Sequence, residues 1–341
     1  MSPSTGGAEV LALGEVMLRF DPGEGRIATA RAFTVWEGGG EYNAVRALAS
    51  TFRRRAGVVT ALVDDPLGHL VEGLVRAGGV DVTGVRWVAG DAGARTGLNF
   101  VERGYGVRGA LGVSDRAGSA ASRLAPGDVD WDAVLDGVAH LHTGGVFAGL
   151  SETTTALAEE ALRAARRLGV GTSYDVNHRP SLWRSRGGAD AARAVDLRLA
   201  GLADVVLGAL QLVPSPPHSP RGVREGGGVG ELAAPEEVGE VLADLGARWD
   251  GASPPLLVSS WRRVVSAGTN DWGAAAWSPA TGVVVGPRLD GVAVLDRIGS
   301  GDALTAGVLD GVLTARSAGG TRAALDAAAL GEALGLGVAA G

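Results

Sequence analysis

Late in the chain the sequence reads Asp296-Arg297-Ile298-Gly299-Ser300-Gly301-Asp302-Ala303-Leu304, and a helical pattern runs on through Arg316. A Gly-Ser-Gly turn that opens a helix leaves backbone N–H groups unpaired. With the positive end of the helix dipole, those amides form a cradle suited to a phosphoryl group. A carboxylate beside such a cradle would repel an anion that is merely held. It makes sense as a base that takes a proton from an attacking hydroxyl while the amides hold the phosphate. The same pattern also suits an ordinary first-turn helix acid after a plain turn.

Two other stretches carry comparable chemistry. Gly38-Gly39-Gly40-Glu41-Tyr42-Asn43-Ala44 places three glycines before a helix, where a ligand can approach the backbone, and Asn43 offers both donor and acceptor groups. A tight strand-to-helix turn accounts for the glycines equally well. Asp175-Val176-Asn177-His178-Arg179-Pro180-Ser181-Leu182-Trp183 sets polar residues at alternate positions just past a buried strand, at the sheet edge where open α/β folds bind ligands. Arg179 suits two-point recognition of a carboxylate or phosphate, or a structural salt bridge. His69, His140, His142, His178 and His218 form no i, i+4 pair and have no acidic cluster at ligand spacing, so no metal site is expected from them. His140 and His142 are expected to end a core strand.

The elements that must position these residues follow a βαβ rhythm. Val10–Gly14, Val58–Val63, Val138–His142, Gly171–Val176, Val205–Leu207 and Leu256–Ser259 are short apolar runs, as in strands buried on both faces. Helical patterns at Asn43–Thr51, Leu67–Ala77, Ser151–Leu168 and Pro235–Leu245 lie between them, with Ser151 placed to cap the third and Gly169 to end it. The expectation is an α/β/α sandwich on a mostly parallel sheet. Val16–Val35 and Thr96–Val113 lack a helical period and are expected to form a small separate β-sheet. Pro214–Gly230 begins with four prolines in seven residues and continues to Gly226-Gly227-Gly228, which predicts a flexible loop. No internal repeat is present.

Composition narrows the chemistry. The chain has 341 residues, 46% hydrophobic and 20% charged, which suits a folded core. A net charge of −7 disfavours general binding to nucleic-acid phosphates. No cysteine occurs, which excludes disulfides, thiolate metal sites and cysteine nucleophiles. All 31 basic residues are arginine, so Schiff-base chemistry and the lysine-dependent P-loop are excluded as well. The first strand has no G-x-G-x-x-G after it, which argues against a dinucleotide-dependent dehydrogenase. Met1–Ala8 has no apolar signal region, and the charge-free stretch Gly273–Pro287 is too short to span a bilayer. A cytoplasmic protein with no membrane partner is the expectation.

Taken in order, Gly39-Gly40…Asn43, Asp175…Asn177…Arg179 and Gly299-Ser300-Gly301-Asp302 resemble the PfkB (ribokinase-like) family of carbohydrate kinases. Within that family the chain is most similar to 2-keto-3-deoxygluconate kinases, through Gly14-Glu15-Val16-Met17-Leu18-Arg19, Asp115-Arg116-Ala117, Asn270-Asp271-Trp272 and Asp296–Gly299. The resemblance implies one ribokinase-like αβα domain over 1–341, with a β-sheet lid drawn from about 16–37 and 96–114. It implies ATP with Mg²⁺, a monovalent cation in some members, a sugar or sugar acid as substrate, and a homodimer formed through the lid. Carried over, Asp302 is the general base, and the amides of Gly299, Ser300 and Gly301 form the anion hole. Gly39, Gly40, Asn43 and Asn99 contact the sugar, while Arg116 and Arg179 face its carboxylate and the phosphate. Asp175, Asn177, Ser260, Ser266 and Gly268, with Gly299 and Gly301, border the nucleotide. The family's related activities, fructokinase or ribokinase-like, and a sugar-binding paralogue remain open. This chain has Asn99 and Ser114 where the keto-deoxy sugar kinases carry tyrosines. It reads Ala209-Leu210-Gln211-Leu212 where the family shows N-x-x-E, and the segment after Leu330 is shorter than the family's usual C-terminal strand or loop.

Overall fold

The computed structural model describes residues 7–90, 93–104, 109–214, 232–251, 253–266, 268–295, 298–317 and 325–341. Of the loop expected at Pro214–Gly230, only Pro214 falls among them. Asp296 and Arg297 also lie outside the described residues.

Two sheets organise the chain. Its strands are β1 (Val10–Leu13), β2 (Met17–Asp21), β3 (Thr34–Gly38), β4 (Ala56–Asp64), β5 (Val85–Ala89), β6 (Leu98–Glu102), β7 (Leu111–Asp115), β8 (His140–Gly144), β9 (Gly171–Asp175), β10 (Val205–Leu207), β11 (Leu256–Ser266), β12 (Thr269–Ser278) and β13 (Gly282–Ala293). The large sheet has nine strands in the order β13-β12-β11-β10-β9-β8-β1-β4-β5, parallel from β11 to β5. Only β12 and β13 run antiparallel, as hairpin extensions at one edge. The small sheet has the order β3-β2-β6-β7 and takes its strands from the two segments that lack a helical period.

The helices are α1 (Gly40–Ser50), α2 (Pro66–Ala77), α3 (Trp131–Val134), α4 (Gly145–Ala148), α5 (Glu152–Arg167), α6 (Pro180–Trp183), α7 (Gly188–Ala200), α8 (Pro235–Ala247), α9 (Ser300–Ser317) and α10 (Ala327–Ala340). Alternate strand residues meet opposite helix layers. Leu11 and Leu13 pack with α5, α7 and α8 through Leu157, Leu199 and Leu242. Val10 and Ala12 pack with α1, α2 and α9 through Val45, Val75 and Leu309. Further along the sheet, Val205, Leu207 and Val258 pack with α9 and α10. Burial on both faces is the reason these strands show no polar alternation. The result is an αβα sandwich.

Local chemistry sets several boundaries. Ser151 and Thr154 form a reciprocal capping box at the start of α5, and Gly169 follows the helix with φ +75. Asp65 caps α2, with Pro66 in the first helical position. Three expectations shift. Helix α1 begins at Gly40, three residues before Asn43, because the glycines themselves enter the helix. Strand β8 begins at His140, so His140 and His142 lie within it and do not end it. Strand β11 runs past Ser259 to Ser266, where it pairs with β12 and exposes one face, which breaks the apolar run. No described helix is long and apolar enough to cross a membrane.

The two histidines are fully interior. His140 Nε2 and His142 Nδ1 lie 2.9 and 2.8 Å from the same Ser173 hydroxyl on β9. Burial pushes His140 down to about 3 and His142 down to about 4, with the neighbouring His142 and Arg316 adding to the effect at His140. Both are therefore neutral in the fold at pH values where an unfolded histidine is charged. A histidine with a depressed folded pKa loses stabilisation as pH falls below its unfolded value, about 6.5, toward the folded one. Asn can replace the bond from His142 Nδ1 and has no proton to gain. His142→Asn is expected to close the stability gap to wild type by about 2 kcal/mol between pH 7 and pH 5, as read from urea unfolding curves. A gap independent of pH would show that His142 does not titrate in this way.

Candidate active site

Asp302 lies in the first turn of α9, and its Oδ2 accepts a hydrogen bond from Asn43 Nδ2 at 2.7 Å. Asn43 lies in the first turn of α1, 259 positions away. Two helix N-termini, each carrying partial positive charge, therefore meet at one carboxylate.

Packing at Gly39 brings Asn43 there. A Cβ on Gly39 would stand 1.9 Å from the Glu15 carbonyl oxygen, so only glycine lets the β3–α1 turn lie on the β1–β2 crossing. Its φ of 174 is extended backbone, so close approach is the constraint. Asn43 N donates to Gly39 O at 2.7 Å, and Asn43 Oδ1 accepts from Gly39 N at 3.4 Å. Those bonds fix the amide orientation and leave Nδ2 for Asp302. On the other side, Gly299 adopts φ +90, which glycine reaches without strain. Ala303 N closes the first helical bond to Gly299 O at 2.7 Å. The preceding amides of Ser300, Gly301 and Asp302 belong to the set that a helix start leaves without intrahelical acceptors. A Cβ on Gly299 or Gly301 would meet no described atom within 4 Å, so there is open space beside this turn.

Around this pair stand two arginines and three more carboxyl groups. Asp175 ends β9, and Arg179 precedes α6. Between them Asn177 holds φ +31, a left-handed backbone that asparagine tolerates better than most residues. Glu41 is fully buried beside Asn43, and its Oε1 accepts from Phe147 N at 2.9 Å. Glu15 is buried where β1 crosses to β2, its Oε1 accepting from Ser119 Oγ at 2.5 Å and its Oε2 3.6 Å from Arg116 Nε. Burial pushes Asp302 up to about 6, against the Asn43 hydrogen bond and the Arg179 charge, which both favour ionisation. Asp175 is pushed up to about 7 by burial and by the charges of Asp302 and Glu41. Glu41 also rises to about 7, chiefly through burial.

Most of the expected residues converge. Gly39, Gly40, Asn43, Arg116, Asp175, Asn177, Arg179 and the Gly299–Asp302 turn form one constellation. Asn177 belongs on its Gly40 side: a Cβ on Gly40 would stand 3.0 Å from Asn177 Nδ2. Asn99 lies on the small sheet, where its Oδ1 accepts from Ser114 Oγ at 3.1 Å. Ser260, Ser266 and Gly268 lie on or beside the β11–β12 hairpin, where Ser266 Oγ accepts from Gly268 N at 3.2 Å. Three site residues had no role assigned by sequence. Glu15 and Glu41 stand within quoted motifs, yet only their burial beside Arg116 separates them from ordinary surface acids. Gln211 occupies the second variable position of the expected N-x-x-E, and its Oε1 accepts from His178 N at 2.8 Å, holding the Asp175–Arg179 segment.

Residues 8–209 match the family described as pfkB family carbohydrate kinase. The chain belongs to the pfkB family of carbohydrate kinases. It is 35% identical over 203 residues to a 2-dehydro-3-deoxygalactonokinase of Haloferax volcanii, covering 58% of this chain and 62% of that one. It is 33% identical over 130 residues to a 2-dehydro-3-deoxygluconokinase of Thermoproteus tenax, covering 38% of each. The chain thus spans less than two thirds of the length of these curated relatives. The crystal structure of a 2-dehydro-3-deoxygluconokinase from Thermotoga maritima superposes with a TM-score of 0.77 at 27% identity, covering 90% of this chain and 88% of that one. The fold is accordingly ribokinase-like. The Asp302 turn lies beyond the matched 8–209 segment of this pfkB-family chain, so its geometry carries weight of its own.

Removing the Asn43 amide takes away a charge-assisted bond that favours the ionised carboxylate. Asn43→Ala is expected to raise the Asp302 titration midpoint by roughly one pH unit, followed by carboxyl ¹³C NMR. An unmoved midpoint would show that the 2.7 Å contact does not hold the charge.

Proposed function

We propose that this chain transfers the terminal phosphoryl group of ATP to the end hydroxyl of a sugar acid of the 2-keto-3-deoxygluconate type. The reading is carried by one observation: a partly buried carboxylate, Asp302, held by Asn43 at the lip of an open turn, with Arg179 acting on it. The names of the Haloferax, Thermoproteus and Thermotoga relatives support the substrate class.

The first turn of α9 fits a phosphate, since Gly299 turns toward open space and no described atom fills the place beyond Gly301. When bound, ATP supplies the phosphoryl group, and Mg²⁺ on its phosphates neutralises charge. Among the described residues no three acidic or histidine side chains gather as metal ligands. That suits an ion that keeps waters and takes one or two carboxylates beside phosphate oxygens, and we assign Asp175 to it. Asn43 Nδ2 orients Asp302, whose carboxylate removes the proton from the sugar hydroxyl. The amides of Gly299, Ser300 and Gly301 hold charge that gathers on the moving phosphoryl oxygens. Gly39 and Gly40 let the sugar approach the backbone, Asn177 stands beside them, and Arg116 and Arg179 face anionic groups. Ser260, Ser266 and Gly268 border the nucleotide. The small sheet serves as a lid over the sugar, and the half-exposed Leu111 and Val113 on its edge offer a face for a second copy.

Asp302 works as a base only when ionised, so activity is expected to rise with pH through about 6 and level above it. A coupled ADP-release assay over 2-keto-3-deoxygluconate, fructose and ribose tests the assignment. Asp302→Asn is expected to cost roughly a thousandfold or more in kcat, with sugar affinity within a few-fold of wild type. Turnover of fructose or ribose with none of the sugar acid would reassign the substrate. Wild-type rates in Asp302→Asn would remove the base.

A further inference from the structure

Glu15 is a buried acid to which the phosphoryl transfer gives no role. It lies between β1 and β2, where the chain leaves the large sheet for the small one, and its side chain keeps 1% exposure. The turn that follows β7 holds it from two ends. Ser119 Oγ donates to Glu15 Oε1 at 2.5 Å, and Arg116 Nε stands 3.6 Å from Oε2. Ser119 N donates to Arg116 O at 3.1 Å, and Gly118 between them adopts φ +72, so turn 116–119 closes on one carboxylate. Arg95 braces the same turn, donating from Nε to Ala117 O at 2.8 Å. Close packing confines the acid further, since a Cβ on Gly97 would stand 2.8 Å from Glu15 Oε1.

Arg116 is the half of this pair that reaches the site. Its side chain keeps 12% exposure, and its charge interacts with Arg179 and Glu41 as well as with Glu15. Burial disfavours the charged guanidinium, and repulsion from Arg179 adds to that. Of the two acids that oppose both effects, Glu15 acts more strongly than Glu41. Without the Glu15 charge, the guanidinium would gain by turning away from Arg179 toward water.

Buried polar atoms are normally hydrogen bonded. Glu15 Oε2 and Arg116 Nε are both buried, both lack a hydrogen bond, and stand 3.6 Å apart. Their attraction is therefore one of charge held short of a hydrogen bond. Such a contact adds little to stability, yet it fixes which edge of the guanidinium turns inward. Nε lies toward the acid, so the terminal nitrogens are left for another anion, which they can grip at two points.

We propose that Glu15 is a positioning residue, turning the Nε edge of Arg116 inward so that its terminal nitrogens meet the anionic end of the sugar acid. This rests on the kinase reading above. Glu15 itself touches no ligand, because turn 116–119 and Gly97 cover it. Its effect on the reaction passes through Arg116.

A double-mutant cycle tests this. KM and kcat are measured for wild type, Glu15→Gln, Arg116→Met and the double variant with 2-keto-3-deoxygluconate, fructose and ATP, and melting temperatures are recorded. Glutamine keeps the shape and the acceptor for Ser119 but removes the charge. Glu15→Gln is expected to raise KM for the sugar acid about tenfold, with KM for fructose and ATP within about twofold and kcat within about threefold. In the Arg116→Met background the same change is expected to alter KM for the sugar acid by less than about twofold. Similar rises in both backgrounds, or equal rises for acid and fructose, would show that Glu15 acts on the fold and not through Arg116. No rise in either background would remove the role outright. Ser119→Ala loosens one Glu15 oxygen and keeps the charge, and is expected to raise KM for the sugar acid about threefold. It carries the test if Glu15→Gln does not fold, and an unchanged KM there would overturn the proposal. A wild-type enzyme that ignores the sugar acid would instead remove the substrate assignment, and this inference with it.

Discussion

A partly buried carboxylate kept ready to ionise is the constraint on which the rest of this structure depends. Partial removal from water disfavours the charged form of Asp302 and raises its pKa above the ordinary aspartate value. The Asn43 amide at 2.7 Å and the Arg179 charge offset that cost enough to leave it near 6. The partners come from α1, from the segment after β9 and from α9, so the carboxylate keeps its charge only if three distant parts of the chain arrive together. Small backbone movements at Gly39 or Asn177 act directly on that balance.

The junction between the two sheets is built to hold this arrangement. Glu15 touches the segments that join them, through Ser119, through Arg116 and through the close approaches of Gly39 and Gly97. Glu41 fills the space left by Gly14 and Gly144 and bonds Phe147 N at the start of α4. Buried acids of this kind contribute little to net stability, since desolvation consumes most of what their contacts return. Their effect is positional. They fix where Arg116 stands, and so where the small sheet sits against the large one.

The departure from N-x-x-E over Ala209–Leu212 leaves Gln211 with a structural part. Its amide oxygen takes the His178 N–H, and Gly208 with φ +63 lets the chain turn close to Asp175. The segment from Asp175 to Arg179 is thereby held by an uncharged side chain.

The sequence by itself determined the alternation of buried strands and capped helices, the separate small sheet, and the Gly-Ser-Gly turn with its carboxylate. Each of these follows from local pattern: apolar runs, Ser151 before a helical period, glycines before Asp302. It also supplied Asp175 and Arg179 as polar residues past a strand end, where an open sheet places its ligands, and Asn43 after three glycines at a helix start. Tertiary structure alone decided that Asn43 and Asp302 touch, because no local signal relates positions 259 residues apart. It alone separated Glu15 and Glu41 from surface acids, since burial depends on what other segments cover. It also extended β11 beyond Ser259 and started α1 at Gly40, where pairing and close packing override the apolar pattern. Local propensity sets the elements, whereas the electrostatics of the site arise from which elements exclude water together.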